Sequence, residues 1–259
     1  MKHEAIADAR AAEHNLIAAL TAWASAGDGG ACERRDGALL AGCSAPMRSF
    51  NNVLIEREPE DLERLIEYAD RFFAHGDGRY RLRVREDVGP IDDEAFLAVG
   101  LTRLGGIPCL AMTPRSDAHR AAADGLSMRP VDDARAVDDH VRVVAQGFDF
   151  DPEQLARALT PRLLEDGSWR GYVGYAGGAP VAASQLVVSG ATAGIYYVAT
   201  VESARGRGFG AAITARAMAD AAALGCRTIS LQASPMGLPI YERLGFRRVA
   251  YYRTYVPAP

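Results

Sequence analysis

The chain has 259 residues, 49% of them hydrophobic, which suits an ordinary globular protein with one large domain or two small ones. Its net charge of −4 comes from interspersed charges of both signs, so we expect no nucleic-acid partner and no membrane partner. No apolar run approaches the roughly 20 residues of a membrane span, and residues 1–4 lead into an amphipathic stretch rather than a signal peptide. These features predict a cytoplasmic protein.

We expect the cysteines to be buried and one histidine to lie at the surface. Cys32, Cys43, Cys109 and Cys226 are scattered, with no CxxC pair and no spacing typical of metal ligands. We therefore expect four buried thiols and no metal site. His140 falls on a predicted helix between polar and apolar neighbours, and we expect it at the surface.

The first half of the chain alternates helical and strand patterns. Between Tyr80 and Arg85 apolar residues alternate with arginine, which predicts a strand with one apolar and one charged face. The predicted elements are a helix over 4–24, strands over 37–43 and 52–56, a helix opened by Pro59-Glu60-Asp61, a strand over 80–84, a helix over 92–104 and a strand over 107–112.

The polar, alanine-rich segment 114–125 is predicted to separate two domains, residues 1–118 and residues 126–259. Together the halves predict a mixed α/β fold. The second half is predicted to contain a strand over 126–131, a helix over 133–145 capped by Asp132, a helix opened by Asp151-Pro152, a hairpin of 172–176 and 181–188, a strand over 195–201, a helix over 211–224, a strand over 229–233, a helix over 238–244 and a strand over 246–256.

The stretch from Arg205 to Gly210 joins the strand over 195–201 to the following helix, and it contains three glycines and two arginines. Glycine lets a backbone approach an anion closely, and the first turn of a helix leaves several N–H groups without partners. Arg205 and Arg207 add positive charge. The stretch therefore predicts a phosphate site.

Spacing separates the possible phosphate ligands. A Walker loop needs a lysine followed by serine or threonine, and neither follows these glycines. Gly206, Gly208 and Ala211 satisfy the dinucleotide pattern G-x-G-x-x-G/A. The context disfavours that interpretation, because residues 202–205 separate the strand from the glycines and the next strand ends in Gln232-Ala233-Ser234 without an acidic residue.

A second motif favours a third interpretation. Arg205-x-x-Gly208-x-Gly210 is followed by a helix, a strand and then Tyr241-Glu242-Arg243-Leu244-Gly245-Phe246. This combination resembles the GNAT superfamily of acyl-CoA-dependent N-acyltransferases. The resemblance implies a GNAT fold in the second half and acetyl-CoA as donor. It also implies a primary amine of a small molecule or peptide as acceptor, attacking directly in a ternary complex.

The resemblance also implies where the cofactor would bind. The N–H groups of residues 206–211 would hold its pyrophosphate, and its pantetheine arm would pair with the strand over 197–201, which would splay from the strand over 229–233. Ser234 stands where many relatives have asparagine, so it either contacts the cofactor or caps the helix beginning near Met236. The expected cofactor-binding residues are Val198, Thr200, Arg205, Gly206, Arg207, Gly208, Phe209, Gly210, Ala211, Ser234 and Tyr241.

Two catalytic roles follow from the same resemblance. Tyr241 would be the general acid that protonates the departing thiolate, the alternative being a tyrosine that only packs. The backbone N–H of Val198 would stabilise the oxyanion. No general base is identified: Glu202, Asp149 and Glu165 are candidates, and water or no base at all are the alternatives.

The first half resembles a degenerate GNAT-like copy, because residues 49–113 repeat the element order of residues 195–256. Residues 100–105, together with residues 108–110, look like a worn version of the family's final helix and strand. In place of the glycines are four carboxylates that would repel a pyrophosphate, so we expect one active site, in the second half. The alternative is an unrelated α/β extension. The four carboxylates belong to Glu56, Glu58, Glu60 and Asp61.

A protein of another class remains possible, namely a catalytically silent CoA-binding or regulatory module. The acceptor cannot be read from the likely acceptor loops, 146–151 and 160–168, which hold no diagnostic pattern. A mildly acidic cleft would suit a cationic amine. We expect a monomer or a homodimer.

Overall fold

The structure is a computed structural model that describes residues 2–74, 78–89, 92–114 and 123–258, with side chains from residue 7 onward. Its centre is one mixed sheet of 11 strands. The strands are β1 Ala31–Arg35, β2 Ala38–Gly42, β3 Asn52–Ile55, β4 Arg81–Arg85, β5 Leu101–Met112, β6 Ser127–Val131, β7 Trp169–Ala176, β8 Ala179–Ser189, β9 Thr192–Thr200, β10 Thr228–Gln232 and β11 Arg247–Pro257.

Helices cover both faces of this sheet. The α-helices are α1 Lys2–Ala26, α2 Leu62–Phe73, α3 Asp93–Ala98, α4 Ala134–Phe148, α5 Pro152–Ala158, α6 Phe209–Ala223 and α7 Leu238–Arg243. None of the helices in the described ranges is long and apolar enough to cross a membrane. The predicted mixed α/β fold is confirmed.

The two halves of the chain share the sheet by exchanging strands. The strand order is β1-β2-β3-β4-β11-β5-β10-β9-β8-β7-β6, so the last strand of the second half, β11, lies between two strands of the first half. In the same way β5, from the first half, lies between β11 and β10. The predicted boundary falls largely on residues 115–122, which lie outside the described residues, and the division into domains 1–118 and 126–259 stays a prediction.

The contacts of neighbouring residues assign the helices to the two faces. On β8 the Ser184 hydroxyl donates to the Ile213 carbonyl of α6, 3.4 Å away. The next side chain, Gln185, instead contacts Trp23 of α1 and His140 of α4. Successive strand residues point to opposite faces, so α1 and α4 share one face and α6 lies on the other.

The first half shows the same division at β4. Leu82 and Val84 are buried in an apolar cluster with α2 and α3. Arg83 and Arg85 point to the other face, where Arg85 binds Glu13 of α1. The arginine face predicted from the alternation is therefore real, but Arg83 and Arg85 are buried, at 7% and 6% exposure. Helix α1 covers them because β11 and β5 continue the sheet beyond β4.

One predicted element is wrong. The helix expected over 92–104 ends at Ala98, and Gly100 turns the chain with a φ of +79°. Strand β5 then begins at Leu101 and pairs with β11 along its length. The stretch 100–105, taken as a worn helix, is therefore mostly strand. Strand β1 was not predicted, because all five of its residues are exposed and it has no apolar alternation. The other elements are confirmed to within a few residues, with Asp133 rather than Asp132 capping α4.

His140 is buried, at 1% exposure, which corrects the surface position predicted for it. The Gln185 side-chain oxygen accepts from the indoles of Trp23 and Trp169, so its amide nitrogen faces His140 Nε2 at 3.1 Å. An amide nitrogen only donates, so Nε2 accepts and the proton sits on Nδ1, 3.3 Å from the Tyr172 carbonyl oxygen. Burial lowers the pKa of His140 to about 4, and the ring is neutral.

The cysteine prediction holds for three of four thiols. Cys43, Cys109 and Cys226 are buried, whereas Cys32 is exposed. The exception follows from the sheet, since Cys32 lies on the edge strand β1, which the sequence pattern did not reveal. Among the described residues no group of His, Cys, Asp or Glu is arranged to hold a metal ion.

Candidate active site

The glycine stretch forms an open turn in front of α6. Gly206 and Gly208 both have a φ of +78°, a left-handed conformation that glycine adopts without strain. Gly208 is the N-cap residue, and no side chain caps the helix. Ala212 N–H bonds to the Gly208 carbonyl at 3.0 Å, so the N–H groups before it have no partner within the helix. A Cβ at either glycine would meet nothing within 4 Å. The turn therefore leaves the space and the donors that a pyrophosphate needs.

The two arginines of the stretch differ in their contacts. The Arg205 guanidinium bonds to the carbonyls of Thr200 and Gly147, at 3.3 and 3.4 Å, and so ties the end of β9 to α4. The Arg207 guanidinium lies over the Phe209 ring, 4.5 Å from its centroid. Both side chains are exposed at the turn and supply positive charge there.

A gap opens between β9 and β10 beside this turn. The two parallel strands pair only over Thr192–Gly194 and Thr228–Ser230. Strand β9 continues to Thr200 without β10 as a neighbour. This is the splay that the resemblance implied, and it leaves one edge of residues 195–200 open to a ligand.

A β-bulge shapes the open edge of β9. Ser184 of β8 faces two residues of β9, Tyr197 and Val198, because the register shifts there. Tyr197 has a φ of +46°, which strains an aromatic residue. Its ring stacks on Phe50 at 5.0 Å, and its hydroxyl donates to the Ser49 carbonyl at 3.3 Å. Contacts with the first half therefore hold the bulge, which re-aims the side chains of the strand.

The gap leads into a cavity of about 320 Å³ between the two halves of the chain. Val198 and Tyr241 line it from the second half, and Arg81 and Arg83 line it from β4. No aspartate or glutamate is among the described residues that line it. The expectation of an acidic cleft is therefore wrong for this cavity, whose charged residues are arginines.

Tyr241 reaches the cavity from α7. It is 8% exposed, and its hydroxyl makes no hydrogen bond to any residue within the described ranges. Burial raises the pKa of Tyr241 to about 12, so the phenol carries its proton at neutral pH. Its ring also packs edge-on against Phe246 at 6.0 Å. A role as acid stays a prediction, and so does the role of the Val198 N–H.

Ser234 bonds to the turn that precedes α7, but its side chain does not cap the helix itself, whose N-cap residue is Gly237. The Ser234 hydroxyl accepts from the Gly237 N–H at 3.1 Å, and its carbonyl accepts from Leu238 at 2.9 Å. The helix begins at Leu238 rather than near Met236. Ser234 also lines the cavity, and its contact with the cofactor stays a prediction.

The structure brings none of the candidate bases to the cavity. Glu202, Asp149 and Glu165 are all exposed, and none of them lines it. Asp149 ends α4 in a left-handed conformation, with a φ of +56°. These carboxylates are therefore corrected to surface residues.

The corresponding turn of the first half is filled by a side chain. Asp36 accepts from the N–H groups of Glu60 and Asp61, at 2.9 and 3.0 Å, directly in front of α2. Asp61 accepts from Arg64 N–H as the N-cap. The backbone bond from Glu60 lowers the pKa of Asp36, which is ionised at neutral pH. The preceding strand, β3, pairs with β4 over all four of its residues, so no gap opens.

The fold is that of known acetyltransferases. A GCN5-related N-acetyltransferase from Kribbella flavida has a TM-score of 0.73 at 19% identity, covering 96% of each chain. A tandem GNAT protein from the clavulanic acid biosynthesis pathway has a TM-score of 0.56 at 15% identity, covering 85% of this chain and 77% of that one. A conserved protein of unknown function from Staphylococcus epidermidis has a TM-score of 0.63 at 15% identity, covering 87% and 92%.

The family model described as an acetyltransferase (GNAT) domain matches residues 115–237. This part of the chain is therefore a GNAT domain, and it contains the glycine turn, the splayed strand and the bulge. No curated protein matches the sequence.

Proposed function

We propose that the protein is an acetyl-CoA-dependent N-acetyltransferase that acts on a primary amine of a small molecule or peptide. The observation that carries this proposal is that the open turn before α6 follows β9 along the chain, and that the unpaired part of β9 lines the same cavity as Tyr241. A cytoplasmic location and a monomeric or homodimeric state remain predictions from the sequence.

The donor would be held mainly by backbone groups. The N–H groups of residues 206–211 would bind the pyrophosphate, with Arg207 and Arg205 adding charge. The open edge at Val198 and Thr200 would pair with the peptide-like pantetheine arm. When bound, the donor supplies an acyl group activated as a thioester.

The chain's own residues would orient the acceptor and manage charge. The Val198 N–H would stabilise the oxyanion as the amine nitrogen bonds to the acyl carbon and the carbon–sulfur bond breaks. Tyr241 would give its proton to the departing sulfur and recover one from solvent. The proton lost by the amine passes to water, because no carboxylate lines the cavity among the described residues. Positive charge from Arg81 and Arg83 helps, since it lowers the pKa of a nearby ammonium.

The test is a thiol-release assay with acetyl-CoA and a panel of amines, with CoA binding measured separately by calorimetry. Turnover of at least one amine, with the acetylated product identified by mass spectrometry, is the expected result. Tight CoA binding without turnover of any amine would instead favour a silent CoA-binding or regulatory module. Absence of CoA binding would contradict both.

A further inference from the structure

Three arginines follow one face of β4, and their partners differ. Arg85 is bound by two carboxylates, Asp87 and Glu13, the latter at 2.5 Å. Within the described part of the chain the Arg81 side chain has neutral partners only: its Nε donates to Asn52 at 2.9 Å and its Nη2 to the Ser49 carbonyl at 2.8 Å. The Arg83 side chain makes no hydrogen bond and no ion pair with any residue of the described ranges.

Arg83 is therefore an unpaired guanidinium at 7% exposure, and it lines the same cavity as Tyr241. Burial lowers the pKa of Arg83, and among the described residues the only acidic groups that act on it are tyrosines. An isolated charge held out of water costs several kcal/mol of folding free energy unless a counter-ion pairs with it. Arg81 adds to the cost, because its positive charge acts on the same region.

Contacts between the two halves fix the Arg81 guanidinium relative to the open edge of β9. The Ser49 carbonyl accepts from both Arg81 Nη2 and the Tyr197 hydroxyl, at 2.8 and 3.3 Å. Tyr197 precedes Val198 in the bulge, so this carbonyl joins the arginine side of the cavity to the strand that borders the gap. Thr254 lies directly opposite Arg83 on β11 and also lines the cavity.

We propose that Arg83, supported by Arg81, binds a carboxylate carried by the acceptor, so that the substrates are primary amines bearing an acid group, such as amino acids. This inference rests on the proposed acetyltransferase function and names its acceptor class. A carboxylate supplies the counter-ion that the cavity lacks, and the planar guanidinium binds it through two parallel hydrogen bonds. The amine is thereby anchored at one end, toward the side of the cavity that Val198 and Tyr241 line.

The direct test compares amino acids with their amides as acceptors. Phenylalanine and glycine, each beside its amide, are assayed with acetyl-CoA in the wild type, in Arg83→Met and in the control Arg253→Met. Arg253 lies beside Thr254 in β11 but pairs with Asp93 on the opposite face, and Asp93 keeps Arg103 and Tyr255 as partners in that variant.

The expected result is a kcat/KM for amino acids about tenfold to hundredfold above that for the amides, expressed mainly in KM. Arg83→Met should remove the preference and Arg253→Met should keep it. The amine of an amide is less basic than that of the amino acid, so a larger fraction of it is neutral and able to attack. This difference favours the amides and therefore works against the proposal. Equal or better use of the amides by the wild type, or a preference that persists in Arg83→Met, would overturn it.

A second arm asks whether the carboxylate belongs to the donor. Succinyl-CoA and acetyl-CoA are compared with a neutral amine as acceptor. We expect no Arg83-dependent advantage for succinyl-CoA. If succinyl-CoA is preferred and Arg83→Met abolishes that preference, the guanidinium binds the acyl group and the acceptor assignment is wrong.

A third arm does not depend on turnover. Without ligand, Arg83→Met should raise the thermal midpoint by about 2–4 °C, because an unpaired buried charge is replaced by an apolar side chain. N-acetylglycine should raise the midpoint of the wild type but not of Arg83→Met, and N-acetylglycinamide should raise neither. A lower midpoint in Arg83→Met together with equal effects of both probes would contradict the carboxylate site. This arm still decides the proposal if no amine is acetylated.

Discussion

Each half of this protein contains a turn that leads from a strand into a helix, and the two turns have opposite electrostatics. Before α6 the turn consists of glycines in left-handed conformations, and no side chain caps the helix. Before α2 the Asp36 carboxylate already accepts from the backbone N–H groups of Glu60 and Asp61. The first half therefore provides its own anion, whereas the second half leaves its donors for a ligand.

The strands beside these turns differ in the same sense. β3 pairs with β4 along its whole length, whereas β9 leaves β10 after Gly194. The short helices α7 and α3 also differ. The fourth residue of α7 is Tyr241, which lines the cavity, whereas the fourth residue of α3 is Phe96, buried and stacked on Tyr255. The same order of elements therefore yields a binding site only if the turn is open, the strands separate and the short helix carries a polar side chain.

The largest expected effect comes from giving the second half the closed turn of the first. Gly208→Asp places a carboxylate at the N-cap of α6, where a Cβ has free space. The carboxylate would repel the pyrophosphate from the N–H groups of the turn, so CoA affinity measured by calorimetry should fall at least about 100-fold.

The matched control is Gly208→Asn, which has nearly the same shape, tolerates the left-handed conformation and has no charge. Its loss of affinity should be clearly smaller than that of Gly208→Asp. Equal losses in the two variants would show that space rather than charge distinguishes the turns.

The next effect concerns Tyr241, the residue that distinguishes α7 from α3. Tyr241→Phe gives the second half the phenylalanine of the first and removes the only polar atom of that side chain. Turnover should fall about 100-fold, the lower end of the range for general acids, while CoA affinity changes less than about threefold. Steady-state rates and calorimetry measure the two quantities. Unchanged turnover would mean that Tyr241 only packs.

A smaller effect concerns the support of the bulge in β9, since β3 pairs with both of its neighbours without a register shift. Gln185, the neighbour of the residue opposite the bulge, is held by His140, whose pKa is lowered by burial from 6.5 to about 4. Between these values the unfolded chain binds more protons than the folded one. The free energy of unfolding should therefore fall as the pH drops from 6.5 to 4, by up to about 1.4 kcal/mol per unit.

Urea denaturation at several pH values measures this slope, and His140→Gln provides the reference for all other titrating groups. The difference in slope between the wild type and His140→Gln isolates the histidine. Parallel pH profiles for the two proteins would rule out a buried neutral imidazole.

The smallest effect should follow from opening the turn of the first half. Asp36→Ala removes the acceptor of two N–H groups and should lower the free energy of unfolding by about 1 kcal/mol, as the loss of a helix cap does. CoA stoichiometry in calorimetry should stay at one, because β3 and β4 remain paired and no gap is created. A second CoA per chain would show that the carboxylate alone had closed this site.

Local patterns carried most of the element assignments. The period of the arginines predicted β4, and the carboxylate of Asp61 marked the start of α2. The helix expected over 92–104 is shorter because Gly100, in a left-handed conformation, turns the chain after Ala98. Long-range pairing of Leu101 with β11 then made the next residues a strand, which no local signal announced.

The residues of the candidate site also fall into two groups, those that local patterns revealed and those that they did not. Tyr241 and the glycines were found from their motifs, but His140 was assigned to the surface and Arg83 only to the charged face of a strand. Their burial depends on α1 and α4, which contact β4 and β8 from distant parts of the chain. The alternating arginines predicted a charged face of β4, but only the strands that flank β4 decide that this face is buried.

The sequence by itself determined the order of helices and strands, the open glycine turn and the tyrosine motif, because these depend on residues that are close along the chain. Only the tertiary structure decided that β11 and β5 are exchanged between the halves. That exchange places β4 inside the sheet and Arg83 in the cavity. Strand partners are chosen by packing and hydrogen bonds across the whole molecule, and local periodicity does not record them.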